Sequence, residues 1–583
     1  MPRWPVMSSQ TVTDAPPDRP EHPTGWAGRL RAFGYLPSRA ADLRERLVPG
    51  YPEPGSWMWR YLGFSASAAA RLARAMAWGG PLLVALLAGV LRFVNLGSPD
   101  AVIFDETYYA KDAWSLLHHG YETDWSDKAD EQIIDGATPL GDTASYVVHP
   151  PAGKWAIAVG EWFFGLTPFG WRFVVALLGT LSVLMVCRIG RRLFRSTALG
   201  CLAGLLLAVD GLHFVMSRTA LLDLVLMFWL LAAFGCLLID RDAARARLAA
   251  ALPTGSDGLL RSDPSVAERL GLGLRPWRLA AGVCLGLACA TKWNGLYVLA
   301  AFGLMAVLWD LGARRSAGAR APFRTVLRRD AFPAFTSLVP VALVTYLVSW
   351  VGWFATSGGY YRNWHNEAGA DSSWSWVPGP LRSLWHYTFE VYDFHVALTS
   401  SHPYESNPFS WLVAARPVTY YYVSADHGQP LVESDPESPV CGSGGGCVRE
   451  VLALGTPLLW WTACVALAYA LWRWLLRRDW RAGALLCGVA AGYLPWLLYQ
   501  ERTIFYFYAV VLSPFLCLAV ALLVGALLGP PGSSERRRVI GIVTVGVLVL
   551  LIVWNFIYFY PIYTGEEITR EGWRARMWLP TWI

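Results

Sequence analysis

Asp105 and Glu106 stand side by side in FDETYYAK, and a carboxylate is well suited to taking a proton from a hydroxyl. Side chains at i and i+1 diverge in a strand as in a helix, so the two do not attack one atom. One serves as a base, the other as an orienting or structural partner. Cations recur around them. Arg92 lies near the end of an apolar run, Lys154 follows His149 in VVHPPAGKW, and Arg172 opens GWRFVVALLGT. Arg218 shares VDGLHFVMSRTALLD with Asp210, His213, Ser217 and Asp223, and Lys292 precedes Trp293 in TKWNGLY. Cations at the edge of an apolar layer suit a lipid-linked phosphate, whose charge sits at that depth. No GxGxxG opens a helix in the manner of a nucleotide cradle. His118 and His119 with Glu122 match neither HExxH nor another defined metal spacing, so no metal is expected.

The elements that must position these groups are membrane spans. Of 583 residues 55% are hydrophobic and only 16% charged, which excludes disordered, collagen-like and disulfide-framework classes and departs from soluble averages. A net charge of +6 over this length does not argue for nucleic acid as a partner. Apolar stretches long enough to cross a bilayer recur near 79–97, 171–187, 197–214, 219–239, 277–291, 295–312, 333–355, 453–472, 482–499, 504–528 and 539–560. The expectation is an all-α polytopic protein of about eleven spans, of which the second, third and fifth are short or Gly-rich. The connections after spans 2, 4, 6, 8 and 10 carry 24 arginines, whereas the long loops 98–170 and 354–452 carry 22 acids. Lys and Arg resist translocation, so the arginine-rich connections are inside, the N-terminus is inside and the C-terminal tail is outside. Nine of the ten histidines fall on the outward side, which places proton chemistry there. Residues 1–76 read as a disordered cytoplasmic arm and 77–355 as the region carrying the chemistry. The second external loop is 356–452, and 453–583 holds four spans and an external tail. Cys441 and Cys447 bracket CGSGGGC on the oxidising side and can close a local disulfide. The other eight cysteines sit in or beside apolar stretches as small hydrophobes.

In order and spacing, FDETYYAK, HPPAGK, GWRFVVALLGT, SRTALLDLVLMFW and TKWNGLY resemble the successive motifs of the protein O-mannosyltransferases. SSHPYESNPFSWLVAARPVTYYY, with His402 and Asn407, resembles the motif before that family's four C-terminal spans. The resemblance runs from about Arg92 to the C-terminus and points to an actinobacterial type. The chain departs from fungal and animal members in having no β-trefoil-sized insertion in the loop after span 7.

That resemblance implies a GT-C membrane glycosyltransferase moving mannose from polyprenyl-phosphate-mannose to Ser or Thr hydroxyls of secreted or membrane proteins, with inversion, at the outer face of the plasma membrane. It implies Asp105 as base and Glu106 in an orienting or acceptor-binding role. Arg172 is the first expected phosphate ligand, ahead of Arg92, Lys154, Arg218 and Lys292, with His149, His213, Asp223, His402 and Asn407 as further site residues. Partners are the lipid-linked donor, acceptor proteins and membrane lipids, and the secretion translocon is a further neighbour the family allows. Three other readings stay open on the residues alone: a transferase acting on a wall polysaccharide or glycolipid, a lipid-linked sugar flippase or transporter, and a non-catalytic subunit of a secretion complex.

Overall fold

The computed structural model describes residues 42–51, 63, 65–432, 438–529 and 533–583. Much of the expected disordered arm, 1–76, lies outside these residues. Its described part is ordered: Asp42 caps helix α1 (Leu43–Leu47), which buries Leu47 against Leu248, Leu252 and Ala313. The first long helix, α2 (Ala66–Phe93), also starts inside that range under a Ser65 cap.

From there the chain alternates spans and loops. Helices α3 (Glu106–His119) and α4 (Ala152–Phe164) lie in the first loop, followed by α5 (Pro168–Phe194), α6 (Thr197–Ala208), α7 (Gly211–Met216) and α8 (Leu222–Ala251). Next come α9 (Pro276–Cys289), α10 (Gly295–Ala317), α11 (Phe332–Ser349) and the second-loop helix α12 (Gly379–Ala397). The C-terminal set is α13 (Pro457–Arg477), α14 (Trp480–Tyr493), α15 (Ser513–Leu527), α16 (Glu535–Thr564) and α17 (Arg570–Arg576). Among the described residues nine helices are long and apolar enough to cross a membrane. The two remaining expected spans, the third and fifth, appear as the shorter apolar helices α6 and α9. At 1.5 Å per residue these are about 18 and 21 Å long, less than the hydrocarbon thickness. Each ends where polar groups are buried in protein, Asp210 and His213 after α6, Thr291 and Lys292 after α9. An interrupted helix at membrane depth is tolerated only with such internal partners.

Helices α8 and α15 fill the centre, apolar on nearly all sides and buried, whereas α2, α11 and α16 present Leu, Val, Ile and Phe outward, as lipid-facing helices do. At one end of the bundle the arginine-rich connections are tied by buried ion pairs, Arg275 and Arg278 on Asp240 and Asp310, and Arg314 on Asp330. At the other end both long loops meet, the Tyr387 hydroxyl donating to the Val147 carbonyl at 3.0 Å. These loops depart from the all-α expectation. Strand β1 (Thr123–Trp125) pairs antiparallel with β2 (Leu140–Ala144). A three-stranded sheet, β3 (Val418–Ala425), β4 (Cys447–Ala453) and β5 (Ile568–Thr569), stitches the second loop to the tail, with Val418 opposite Ala453 and Val448 opposite Ile568. Cys441 and Cys447 are disulfide-bonded.

Candidate active site

The turn into α3 separates the two adjacent carboxylates. Phe104 adopts a left-handed backbone with φ of 50° and stacks on Tyr420 at 4.6 Å. Asp105 then occupies the N-cap and Glu106 the first helical position. Glu106 is fully buried and saturated. It accepts from Arg172 Nε and Nη2, both at 2.8 Å, and from the N–H groups of Ile103 at 3.1 Å and Ala220 at 3.0 Å. The other Arg172 N–H groups donate to the carbonyls of Pro99 and Ala101 at 2.8 Å and of Leu96 at 3.4 Å. One bidentate pair thus ties the 96–106 turn to α5 and to the start of α8.

Asp105 is the opposite case. It is partly open to solvent, makes no side-chain capping bond, and among the described residues its carboxyl has no ion-pair or hydrogen-bond partner. Burial pushes this carboxyl up to about 6, against the pull of Lys292 and with a further push from Asp223. A carboxyl in that range is ionised at neutral pH yet basic enough to hold a proton in transit.

Lys292, at the interruption after α9, donates to both oxygens of Asp223 at 2.9 and 2.8 Å, and its ammonium lies 4.5 Å from the Tyr508 ring centroid. An ammonium has three N–H groups, so this geometry leaves one for a ligand. Lys292 lines a cavity of about 320 Å³ with His149, His395, Arg502 and Tyr508 at its polar end and Trp293, Leu296, Val396 and Trp496 among its apolar walls. Arg502 Nη2 donates to His395 Nδ1 at 3.1 Å, while His395 Nε2 meets the Val148 carbonyl at 2.9 Å. The two contacts assign His395 as the neutral Nε2–H tautomer, in keeping with burial and Arg502 lowering it to about 4. Burial, with Lys292 next, likewise holds His149 well below the usual histidine range, and the two rings stack at 5.2 Å. The buried Arg502 Nε has no hydrogen-bond partner among the described residues. This end of the cavity therefore carries fixed positive charge against neutral imidazoles, an arrangement that can bind an anion.

Four expected phosphate ligands stand outside this cavity, with most of their donors engaged within the protein; the buried Arg92 Nε has no partner among the described residues. Arg172, the first of them, is consumed by Glu106 and three carbonyls as described above. Arg92 is fully buried and donates to the carbonyls of Ala88, Leu207 and Ala208 and to His213 Nδ1 at 2.8 Å, so His213 belongs to that internal network. Arg218 donates to the carbonyls of Arg92, Val94 and Asn95, each at 2.7 Å, closing the end of α2. Lys154 is buried between Glu122 and Asp112. In each case open carbonyls at helix ends or buried carboxylates take up N–H groups of the cation. Lys292 lines the cavity, and Asp223 is its ion-pair partner. His402 packs edge-on to Phe505 at 5.0 Å, and Asn407 caps the turn at Pro408 and donates to Gln500 at 3.1 Å. Glu122 is engaged with Lys154 and His118 meets the Trp114 carbonyl, so the trio weighed for a metal is split. Among the described residues the one group with metal-ligand spacing contains the two bonded cysteines and Glu567.

Sequence reasoning missed Arg502, His395 and Tyr508. Arg502 had a signal: an arginine in YQERT, on the short outward connection between expected spans 9 and 10, runs against the charge rule that orients the chain. His395 and Tyr508 had none, since each is one aromatic residue within an apolar, aromatic-rich run.

Two family models match the chain, "Dolichyl-phosphate-mannose-protein mannosyltransferase" over residues 82–250 and "C-terminal four TMM region of protein-O-mannosyltransferase" over residues 380–582. A polyprenol-phosphate-mannose protein mannosyltransferase of Mycolicibacterium smegmatis is 42% identical over 520 residues, covering 88% of this chain and 94% of the relative. One from Corynebacterium glutamicum is 35% identical over 511 residues, covering 86% and 92%. Among solved structures, a chain of the S. cerevisiae protein O-mannosyltransferase complex bound to the sugar donor superposes with a TM-score of 0.63 at 16% identity, covering 88% of this chain and 94% of that one.

Proposed function

The chain belongs to the dolichyl-phosphate-mannose-protein mannosyltransferase family and has its GT-C membrane fold, and from that premise we propose the reaction and the residues that perform it. The enzyme transfers mannose from polyprenyl-phosphate-mannose to Ser or Thr hydroxyls of proteins, at the outer face of the plasma membrane. The acceptor oxygen attacks the anomeric carbon with inversion, its proton passes to the Asp105 carboxylate, and the bond to the phosphate oxygen breaks, leaving its electron pair on polyprenyl phosphate. Lys292 and Arg502 hold the phosphate and stabilise the charge that grows on it, so the leaving group needs no general acid. Glu106 acts through position: its pair with Arg172 fixes the turn that aims Asp105.

The observation that carries this reading is the contrast between the two carboxylates. Glu106 is closed by four hydrogen bonds, whereas Asp105 has a raised pKa and lies within electrostatic reach of a lysine that lines an anion-suited cavity. Purified enzyme in liposomes, given labelled polyprenyl phosphomannose and a Ser/Thr peptide, tests it. Label in the peptide is the expected result. Label in a glycolipid or polysaccharide acceptor alone, or label carried across the bilayer without transfer, refutes it.

A further inference from the structure

Helix α12 divides into three faces along its 19 residues. With about 100° between successive residues, Leu381, Trp385, Phe389, Tyr392 and Val396 fall within about 80° of arc. All five are exposed, Trp385 by 67%. The next arc carries Arg382, His386, Glu390 and Asp393. The third holds Leu384, Tyr387 and Val391, buried against Trp350 and Trp353 beyond the end of α11. The helix is therefore docked on the protein through one apolar face while a second, of equal length, stays exposed among the described residues. Aromatic side chains in such a stripe, bounded by a polar arc, are the pattern of a helix lying in the plane of a membrane interface.

The stripe leads somewhere. Tyr392 and Val396, its last two members, also line the cavity that holds Lys292 and Arg502. Its path from Leu381 to Val396 is about 22 Å at 1.5 Å per residue. An ordinary phospholipid directs its chains into the bilayer, whereas one long chain leaving a phosphate in this cavity meets the aromatic face of α12 along its whole run. We infer that this face is the track for the isoprenoid chain of the lipid-linked donor, and that it selects donors by chain length. The inference rests on the donor assignment proposed above.

Two donors separate the ideas, mannosyl phosphate on a long polyprenyl chain and on a short, water-soluble isoprenoid, each assayed with wild type and with the double variant Trp385→Ser and Phe389→Ser in phosphatidylglycerol and phosphatidylethanolamine liposomes. Both side chains are exposed, so folding is expected to survive, and retained turnover of the short donor reports that it has. The KM for the long donor is expected to rise about tenfold with kcat unchanged, the KM for the short donor to stay constant, and the pair Trp385→Phe with Phe389→Leu to restore the long-donor KM. Equal changes for both donors, no change for either, or a shift confined to the peptide KM overturns the inference, the last by making the face an acceptor platform. Wild type using neither donor overturns the functional reading itself, and this inference with it.

Discussion

Replacing Asp105 by Asn should abolish turnover while making the protein more stable at neutral pH, a combination that distinguishes a poised base from a structural carboxylate. In the native state burial lifts this carboxyl from 3.8 to about 6, so folding favours its protonated form. That favourable contribution is complete below about pH 4, fades as pH rises through about 6, and becomes a constant cost above. At 1.36 kcal/mol per pH unit the cost reaches about 3 kcal/mol, and partial exposure of the side chain screens it to about 1–2 kcal/mol. An amide carries no such penalty. Tryptophan-fluorescence melting in detergent should therefore show Asp105→Asn with the higher Tm at pH 7.5 and a difference shrinking towards pH 4. Its transfer rate should fall by about 10²–10⁴, the usual contribution of a general base, and wild-type kcat/KM should rise with pH around a midpoint near 6. An Asn variant that turns over normally, or that melts several degrees below wild type at pH 7.5, would refute the reasoning.

Other substitutions probe the supporting parts. Glu106→Gln strands the buried Arg172 charge and should cost about 3–5 kcal/mol, read as a lower Tm together with lost activity; loss of activity at unchanged Tm would instead make Glu106 a reacting group. The double variant Lys292→Met with Asp223→Asn removes both members of a buried pair without leaving either charge alone, so it should fold yet raise the donor KM at least about tenfold, measured by donor titration. Arg502→Gln should raise the donor KM with the peptide KM unchanged. Gly160→Ala would place a Cβ 2.3 Å from the Gly170 carbonyl oxygen, forcing α4 away from α5, and thermal melting should show a loss of about 1–3 kcal/mol.

How far the sequence reaches is visible at individual residues. The divergence of Asp105 and Glu106 follows from adjacency alone, and the structure places the two in opposite surroundings. What each faces does not follow, because the partner of Glu106 is 66 positions away and the Ala220 N–H 114. The cations show the same boundary. Hydropathy and charge place Arg92, Arg172, Arg218 and Lys292 at one end of the bundle, but whether their N–H groups are free depends on which helix ends and loop carbonyls fold against them. Span positions were legible wherever twenty apolar residues run on, as in α8 or α16. Lengths were not legible at α6 and α9, where the backbone breaks because polar side chains find partners inside the protein. The small sheets in the loops escaped hydropathy altogether, since β1 and β2 are only three and five residues long, and β3 and β4 are joined by β5 from the distant tail.

The central claim, that this chain mannosylates secreted proteins through Asp105, is tested most directly by peptide mass spectrometry of the secreted proteins of a strain lacking it. Complementation with wild type is to be compared with Asp105→Asn expressed at the same level. Hexose on Ser and Thr should disappear in the deletion strain, return with wild type and stay absent with Asp105→Asn. Hexose that persists in the deletion strain, or that the Asn variant restores, would contradict the account.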